Sequence, residues 1–273
     1  MHSNTIRYFV LTTVLALLTA CGDQEPASTV AETGSDTAAA MPPAATNNDA
    51  TGEMSLAAQL EARKAQFVEM APPGRIAAMN AAVAEVGASG ILDKAINLGD
   101  KAPDFILPDA LGNPVSLYDE LAKGPVILTW YRGSWCPYCN LQLHDYQKSL
   151  ADIQAAGAQL MAVSPELSDS ALTWKEKNEL EFIVLSDVGN KVAREYGVVY
   201  RIPKGIEAGY MAGARTDLTQ YNGDDSLELP LAVTYVIGTD GTVEYAFVDA
   251  DYRKRAETSE VVNFVRQYAA APE

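Results

Sequence analysis

Two cysteines separated by two residues, Cys136 and Cys139, constrain this sequence more than any other feature. They follow a near-continuous apolar run, residues 126–131, which is typical of a buried central strand. Pro137 comes directly after the first cysteine, and proline suits the first position of a helix, where its missing N–H would have no partner. The sequence therefore predicts a strand, a short loop and a helix over residues 136–156, with Cys136 at the helix N-terminus.

This position makes Cys136 a candidate nucleophile. The unpaired amides and the positive end of the helix dipole favour the thiolate, which is the reactive form of a cysteine. Arg132, four residues earlier, adds a nearby cation. Cys139 lies one turn along the same helix face, so it can attack any adduct that forms on Cys136. The pattern predicts redox chemistry, with Cys136 exposed at the helix end.

Three other uses of the cysteine pair fit the sequence less well. A disulfide that closes so small a ring removes little chain entropy, so a purely structural bond is disfavoured. A zinc site needs a second pair of ligands, and the remaining candidates are Cys21, His2 and His144. A cysteine–histidine hydrolase would have to use His144, which is roughly 12 Å from Cys136 along the helix axis. We therefore predict no metal site.

The first twenty residues have the features of a secretory signal peptide. Arg7 precedes a 13-residue apolar run that is too short to span a bilayer core of ~30 Å. The sequence LTAC at residues 18–21 resembles a bacterial lipobox, in which Cys21 is lipidated and becomes the N-terminal residue. The alternative is an ordinary signal peptide with Cys21 as a free thiol. Gly22, by resemblance to Gram-negative lipoproteins, favours an outer-membrane protein facing the periplasm.

Two further segments precede the main domain. Residues 21–53 lack aromatic residues, lysine and arginine, so nothing in them offsets the entropy of ordering, and we predict a disordered acidic tether. Residues 54–97 carry apolar residues at helical spacing on both sides of a Pro-Pro-Gly sequence, which predicts two short helices packed on the main domain. The formal net charge of −16 makes nucleic acid a poor partner and leaves the lipid anchor as the link to a membrane.

Residues 98–273 alternate between β-rich and helical segments. Hairpins are predicted around residues 111–114 and 239–242, and the latter contains an Asp-Gly turn. Further strands are predicted over residues 160–164, 182–185 and 233–237, and helices over residues 168–178, 188–196 and 257–269, with Ser168 as an N-cap. This order predicts an α/β sandwich. Residues 199–229 interrupt it as an insert, and a loop of that length in a compact domain usually has a function.

Several segments together resemble one family. The sequence WYRGSWCPYCN at residues 130–140 resembles the active-site segment of peroxiredoxin-like proteins of the alkyl hydroperoxide reductase/thiol-specific antioxidant family. Residues 99–105 (GDKAPDF), 185–187 (LSD), 196–198 (YGV) and 234–237 (TYVI) are similar to other parts of it. The resemblance implies an α/β thioredoxin fold, a mixed central sheet flanked by helices, after an N-terminal helical extension.

The same resemblance implies a mechanism. Cys136 would attack a small peroxide and become a sulfenic acid, which Cys139 would resolve by forming a disulfide with it. No cofactor is implied, and the electron donor would be a thioredoxin-like protein. Family members also carry an arginine on a later strand, where this sequence has Ala232.

The missing cation has three candidates in this sequence, Arg132, Arg194 and Arg201, of which we favour Arg132. Ser134 and the backbone amides around Cys136 would be further donors to the peroxide oxygens. A second function stays open, namely a periplasmic thiol–disulfide oxidoreductase that uses the same two cysteines on other proteins.

Overall fold

A computed structural model describes residues 54–270 of the 273-residue chain. The predicted signal peptide, Cys21 and the predicted tether lie outside the described residues. In chain order the elements are α1 (Leu56–Met70), α2 (Pro73–Ala88), α3 (Ile91–Lys94), β1 (Ile106–Pro108), β2 (Pro114–Ser116), α4 (Leu117–Leu121), β3 (Val126–Trp130), α5 (Pro137–Lys148), α6 (Leu150–Ala155), β4 (Gln159–Ser164), α7 (Ser168–Lys177), β5 (Ile183–Ser186), α8 (Lys191–Glu195), β6 (Val199–Arg201), a 3₁₀ helix (Glu207–Gly209), α9 (Leu218–Asn222), β7 (Glu228–Pro230), β8 (Thr234–Ile237), β9 (Val243–Phe247) and α10 (Thr258–Ala270).

The main sheet has five strands in the order β5-β4-β3-β8-β9. Strand β3 pairs in parallel with β4, and β4 in parallel with β5, whereas β8 and β9 are antiparallel. All five residues of β3 are buried, as the apolar run predicted for a central strand. The mixed sheet with helices on its faces confirms the predicted α/β thioredoxin fold.

Hydrophobic clusters cover both faces of this sheet. Alternate residues of a strand point to opposite faces, so Ile127 enters one cluster, while Val126, Leu128 and Trp130 enter the other. The first cluster joins the sheet to α5, α6, α7 and α10, and the second joins it to α2, α4 and α8. The helix that begins after Cys136 is therefore held against the sheet along its length.

The predicted helical extension forms α1 and α2 and packs on the main domain. Leu56 and Leu60 of α1 are buried in the cluster that contains α5. The carboxylate of Glu257 accepts hydrogen bonds from the amides of Leu56 and Ala57, at 3.1 and 2.9 Å. These amides at the start of a helix have no partner within it, and a negative charge there is stabilising.

Two local predictions are wrong. The single helix predicted over residues 136–156 is two helices, because the backbone of Ser149 (φ −90°, ψ 2°) departs from helical geometry between α5 and α6. Ser168 is the first residue of α7 rather than its N-cap, since the extended backbone of Leu167 ends one residue earlier. The strand limits differ from the predicted ones by one residue at most, whereas α8 begins at Lys191, three residues after the predicted start.

The insert is folded. Strands β6 and β7 pair in antiparallel fashion at its base, and the 3₁₀ helix and α9 lie between them. Four buried residues form a small core in the insert: Ile202, Leu218, Leu227 and Leu229. The half-buried side chains of Trp135 and Tyr210 cover this core. The insert thus packs against the loop that precedes Cys136. Over residues 54–270, no helix combines the length and the apolar character needed to cross a bilayer.

Candidate active site

The loop between β3 and α5 places Cys136 at the start of the helix. Cys136 is the N-cap residue of α5 and Pro137 is the first helical residue, as predicted. The amide of Cys136 donates to the carbonyl of Gly133 at 3.0 Å, which closes a tight turn. Gly133 has φ +146°, and a Cβ there would lie 2.3 Å from Nε1 of Trp135. Only glycine fits this position without displacing the indole.

Both cysteines are reduced and buried, with 1% of Cys136 and none of Cys139 exposed. The prediction that Cys136 would be exposed is therefore wrong. The helix end is covered by the insert and by the segment that follows β9. Both are distant in the chain, so the sequence around the cysteines does not indicate that they are buried. A narrow cleft of about 10 Å³, lined in part by Arg132 and Tyr252, reaches this region between α2 and the insert.

Arg132 lies beside Cys136, with Nη1 3.9 Å from the Cys136 Sγ. Its guanidinium stacks on Tyr252 and Trp135, at 4.1 and 4.9 Å from the ring centroids, and Nη2 donates to the Tyr210 hydroxyl at 3.3 Å. The side chain is buried, and within the described part of the chain it forms no ion pair with a carboxylate. Aromatic rings and the Cys136 sulfur take the place of a carboxylate.

The other two arginines considered from the sequence lie elsewhere. Arg194 pairs with Glu228 at 2.5 Å, and Arg201 pairs with Glu207 at 2.8 Å. Both arginine side chains are about half exposed. Of the three candidate cations, the structure brings Arg132 to the cysteine pair.

Arg255 is a site residue that the sequence analysis missed. Its Nη2 lies 3.1 Å from the Cys139 Sγ, and its Nη1 donates to the backbone carbonyls of Tyr252 and Lys254. The side chain is buried. Arg255 is 116 residues from Cys139 in the chain, in a segment of mixed charges after β9. Nothing local in the sequence distinguishes it from the basic residues around it.

The two thiols have opposite pKa shifts. Burial raises the pKa of Cys136, but the hydrogen bond from Cys139 and the charges of Arg132 and Arg255 outweigh it, so the pKa falls well below its usual value. Burial raises the pKa of Cys139 well above its usual value, and the adjacent Cys136 adds to this. At neutral pH the pair therefore holds one thiolate, on Cys136, with Cys139 as the thiol.

Ser134 contacts a buried carboxylate. Its hydroxyl donates to Oε1 of Glu166 at 2.7 Å, and its amide donates to Oε2 at 2.9 Å. The hydroxyl proton that we expected to serve a bound peroxide is therefore engaged by Glu166. Burial raises the pKa of Glu166 to about 7, although the hydrogen bonds from Ser134 oppose this. The sequence analysis did not identify Glu166, which follows β4 and lies 32 residues beyond Ser134.

No group of three or more His, Cys, Asp or Glu side chains in residues 54–270 is arranged to hold a metal ion. The chemistry of the site, as far as the described residues define it, consists of two sulfurs, two guanidinium groups and a carboxyl group.

A dithiol at the start of the helix that follows the central strand of a mixed sheet is the arrangement of the thioredoxin-fold class. The model of the AhpC/TSA family matches residues 98–246, which is more than half of the chain. The chain therefore belongs to the AhpC/TSA family.

Relatives agree with this assignment, and a solved structure shares the fold. The chain is similar to the chloroplastic peroxiredoxin Q of Arabidopsis thaliana, at 33% identity over 134 residues, or 49% of this chain and 59% of that protein. It is 36% identical to the chloroplastic peroxiredoxin Q of Sedum lineare over 103 residues, or 38% and 55%. The chain thus spans less than two thirds of these relatives. Peroxiredoxin 6 of Arenicola marina shares the fold, with a TM-score of 0.50 at 17% identity, over 63% of this chain and 72% of that one.

Proposed function

We propose that the protein is a thiol peroxidase that reduces hydrogen peroxide or organic hydroperoxides through Cys136. The observation that carries the proposal is the Arg132 guanidinium 3.9 Å from the Cys136 Sγ at the start of α5. The Cys136 thiolate attacks one peroxide oxygen and the O–O bond breaks. Water or an alcohol leaves once a proton is added, and Cys136 becomes a sulfenic acid.

Arg132 has two parts in this step. Its charge favours the Cys136 thiolate, and its N–H groups are positioned to donate to the peroxide oxygens, on which negative charge develops. The amides in the first turn of α5 add to the same positive field. Mutual packing with Tyr252 and Trp135 holds the guanidinium in place, so little reorganisation is needed when the charge moves.

Cys139 completes the cycle. Its sulfur attacks Cys136, a Cys136–Cys139 disulfide forms and water is released. Two electrons from a dithiol donor of the thioredoxin class then restore both thiols. The relatives named peroxiredoxin Q support this family of reactions for the chain.

Burial of the cysteines favours the peroxidase over the thiol–disulfide oxidoreductase. The cleft beside Arg132 is narrow, at about 10 Å³, and neither cysteine is among the residues that line it. A folded client protein cannot bring its disulfide to a sulfur that is 1% exposed unless the insert moves. Both functions require a protein to reach the pair, a client in one case and the reducing donor in the other, but oxidation by a small peroxide needs a much smaller opening.

The test uses Cys139→Ser with hydrogen peroxide and a reagent specific for sulfenic acids. We expect the variant to be labelled at Cys136, and the wild-type Cys136 to be oxidised orders of magnitude faster than a free thiol. Cys136→Ser is the matched control and should be neither labelled nor active. An oxidation rate near that of a free thiol, together with mixed disulfides between Cys139→Ser and other proteins, would establish the oxidoreductase instead.

We also propose that the mature protein begins at a lipidated Cys21 and faces the periplasm from the outer membrane. The LTAC sequence at the end of the apolar run supports this. Intact mass spectrometry of the membrane fraction should detect the added lipid, and Cys21→Ala should abolish it. A protein that begins at Met54 should retain the peroxidase activity. An intact mass without lipid would contradict the proposal.

A further inference from the structure

Each sulfur of the pair has its own buried arginine. Arg132 Nη1 lies 3.9 Å from the Cys136 Sγ, and Arg255 Nη2 lies 3.1 Å from the Cys139 Sγ. In the proposed attack on peroxide Arg132 serves the Cys136 thiolate and the peroxide oxygens, whereas Arg255 adds its charge to the thiolate but makes its contact with the other cysteine. The closer of the two contacts is thus made to the cysteine that stays protonated during that step.

The side chain of Arg255 is a buried cation with no carboxylate of residues 54–270 in contact with it. Its side chain is 7% exposed, and in the described range it has no carboxylate partner. Two backbone carbonyls, of Tyr252 and Lys254, hold Nη1, and Nε has no hydrogen-bond partner among the described atoms. A buried guanidinium without a counterion is costly. The Cys139 sulfur is the group in contact that can become negative.

Cys139 loses its proton when it attacks the Cys136 sulfenic acid, and it becomes negative again when its disulfide with Cys136 is broken and it is the leaving group. It is fully buried, so water cannot stabilise a thiolate there. The rate of thiol–disulfide exchange depends on the stability of the leaving thiolate. A leaving group in this position needs a charge inside the protein.

We propose that Arg255 is the catalytic residue of the reductive half-reaction, in which it stabilises the Cys139 thiolate as that sulfur leaves. This inference rests on the proposed function, because it requires the Cys136–Cys139 disulfide. In this scheme Arg132 stabilises charge during the oxidation of Cys136, and Arg255 stabilises charge during the reduction of the disulfide.

The bonds and electrons of this step balance. A thiolate of the dithiol reductant attacks the Cys136 Sγ, a new S–S bond forms, and the Cys136–Cys139 bond breaks with its electron pair on Cys139. The second thiolate of the reductant then attacks the mixed disulfide and expels the Cys136 thiolate. The reductant leaves as a disulfide, two electrons have entered the protein, and Cys139 takes up one proton.

The experiment compares Arg255→Met with the wild-type protein, both oxidised to the disulfide. Reduction by dithiothreitol is followed at about pH 8, where a useful fraction of the reductant is thiolate in both reactions. We expect Arg255→Met to be reduced about tenfold more slowly and Arg255→Lys to recover part of the loss. The equilibrium with glutathione should shift less than the rate, because Cys139 ends the reaction as a thiol. Oxidation by hydrogen peroxide should change far less.

Arg253→Met is the matched control, because Arg253 lies two residues earlier and pairs with Asp251 at 2.7 Å. It should be reduced at the wild-type rate. Arg132→Met should show the opposite pattern, with slow oxidation and nearly normal reduction. If Arg255→Met does not fold, Arg255→Gln and Arg255→Lys give the same comparison of a neutral with a charged side chain.

Two outcomes would overturn the inference and are easily told apart. If wild-type and Arg255→Met disulfides are reduced at the same rate, Arg255 has no part in reduction, and the proposed function still stands. If the wild-type protein forms no Cys136–Cys139 disulfide with peroxide, as mass spectrometry would show, the proposed cycle fails and the inference fails with it.

Discussion

Ser134 donates two hydrogen bonds to the carboxylate of Glu166, one from its hydroxyl at 2.7 Å and one from its amide at 2.9 Å. They tie the loop before Cys136 to a group that follows strand β4. Glu166 is completely buried, and among residues 54–270 it forms no ion pair with Lys, Arg or His. The loop beside the nucleophile is thus held by a carboxyl group whose charge is poorly compensated.

This arrangement predicts a pH-dependent stability. Burial raises the pKa of Glu166 in the folded protein to about 7, above its ordinary value of 4.5. The folded state therefore binds a proton more tightly than the unfolded state between these values, and stability falls as the pH rises through them. Glu166→Gln removes this loss. Relative to the wild type, it should gain about 3 kcal/mol in unfolding free energy between about pH 4 and pH 8.

Urea unfolding of both proteins over that pH range measures the difference. Glu176→Gln is the matched control, because Glu176 is an exposed carboxyl on α7. The stability of this variant should follow the wild-type pH profile. A constant difference between wild type and Glu166→Gln at all pH values would mean that the pKa of Glu166 is the same in the folded and unfolded states.

Local patterns explain why the fold and the position of Cys136 at the start of α5 could be predicted. The signals lie in one short stretch of the sequence, residues 126–139: the apolar run of β3, the proline after Cys136 and the spacing to Cys139. The pairing of β1 with β2 is confirmed. It could be predicted because the turn sequence between the two strands is also a local signal. The position of Arg132 near Cys136 could also be predicted, because a residue just past the end of β3 lies near the start of α5.

The remaining features of the site depend on tertiary contacts. Arg255 meets Cys139 because the segment after β9 returns to α5, and Glu166 meets Ser134 because β4 lies beside β3 in the sheet. One sequence does not reveal such pairs. The burial of Cys136 follows from how the insert folds, which its mixed composition did not predict.

Arg132 should control the ionisation of Cys136. Replacing it by methionine removes a buried positive charge 3.9 Å from the sulfur, so the pKa of Cys136 should rise by at least about one unit. Oxidation by peroxide should slow about tenfold or more, because the variant also loses the N–H donors to the peroxide oxygens. Ultraviolet absorbance of the thiolate during a pH titration measures the first effect. Arg194→Met, at an arginine paired with Glu228, is the control and should leave the titration unchanged.

Glu257 should anchor the helical extension. Its carboxylate accepts from the amides of Leu56 and Ala57 at the start of α1. Glu257→Gln removes the charge that complements the helix terminus and should cost about 1 kcal/mol. Hydrogen exchange should accelerate in α1 but not in β3. Equal exchange in wild type and variant would mean that Leu56 and Leu60 alone hold the helix.

Tyr210 should control access to Cys136. It belongs to the insert, its ring lies 5.6 Å from that of Trp135, and its hydroxyl accepts from Arg132 at 3.3 Å. Tyr210→Ala removes the ring and opens the helix end, so alkylation of Cys136 by iodoacetamide should accelerate several-fold. Tyr210→Phe keeps the ring and should react at nearly the wild-type rate.

Both Tyr210 variants are compared with Met211→Ala, since Met211 is the next residue of the insert and is exposed. Measurement at about pH 8 keeps Cys136 ionised in every protein, so that the rates report access rather than thiolate fraction. A protein donor must reach the buried disulfide to reduce it, so Tyr210→Ala should also be reduced faster by such a donor than the wild type. If alkylation and reduction are unchanged in Tyr210→Ala, Cys136 is reached by another path, of which the cleft between α2 and the insert is the candidate.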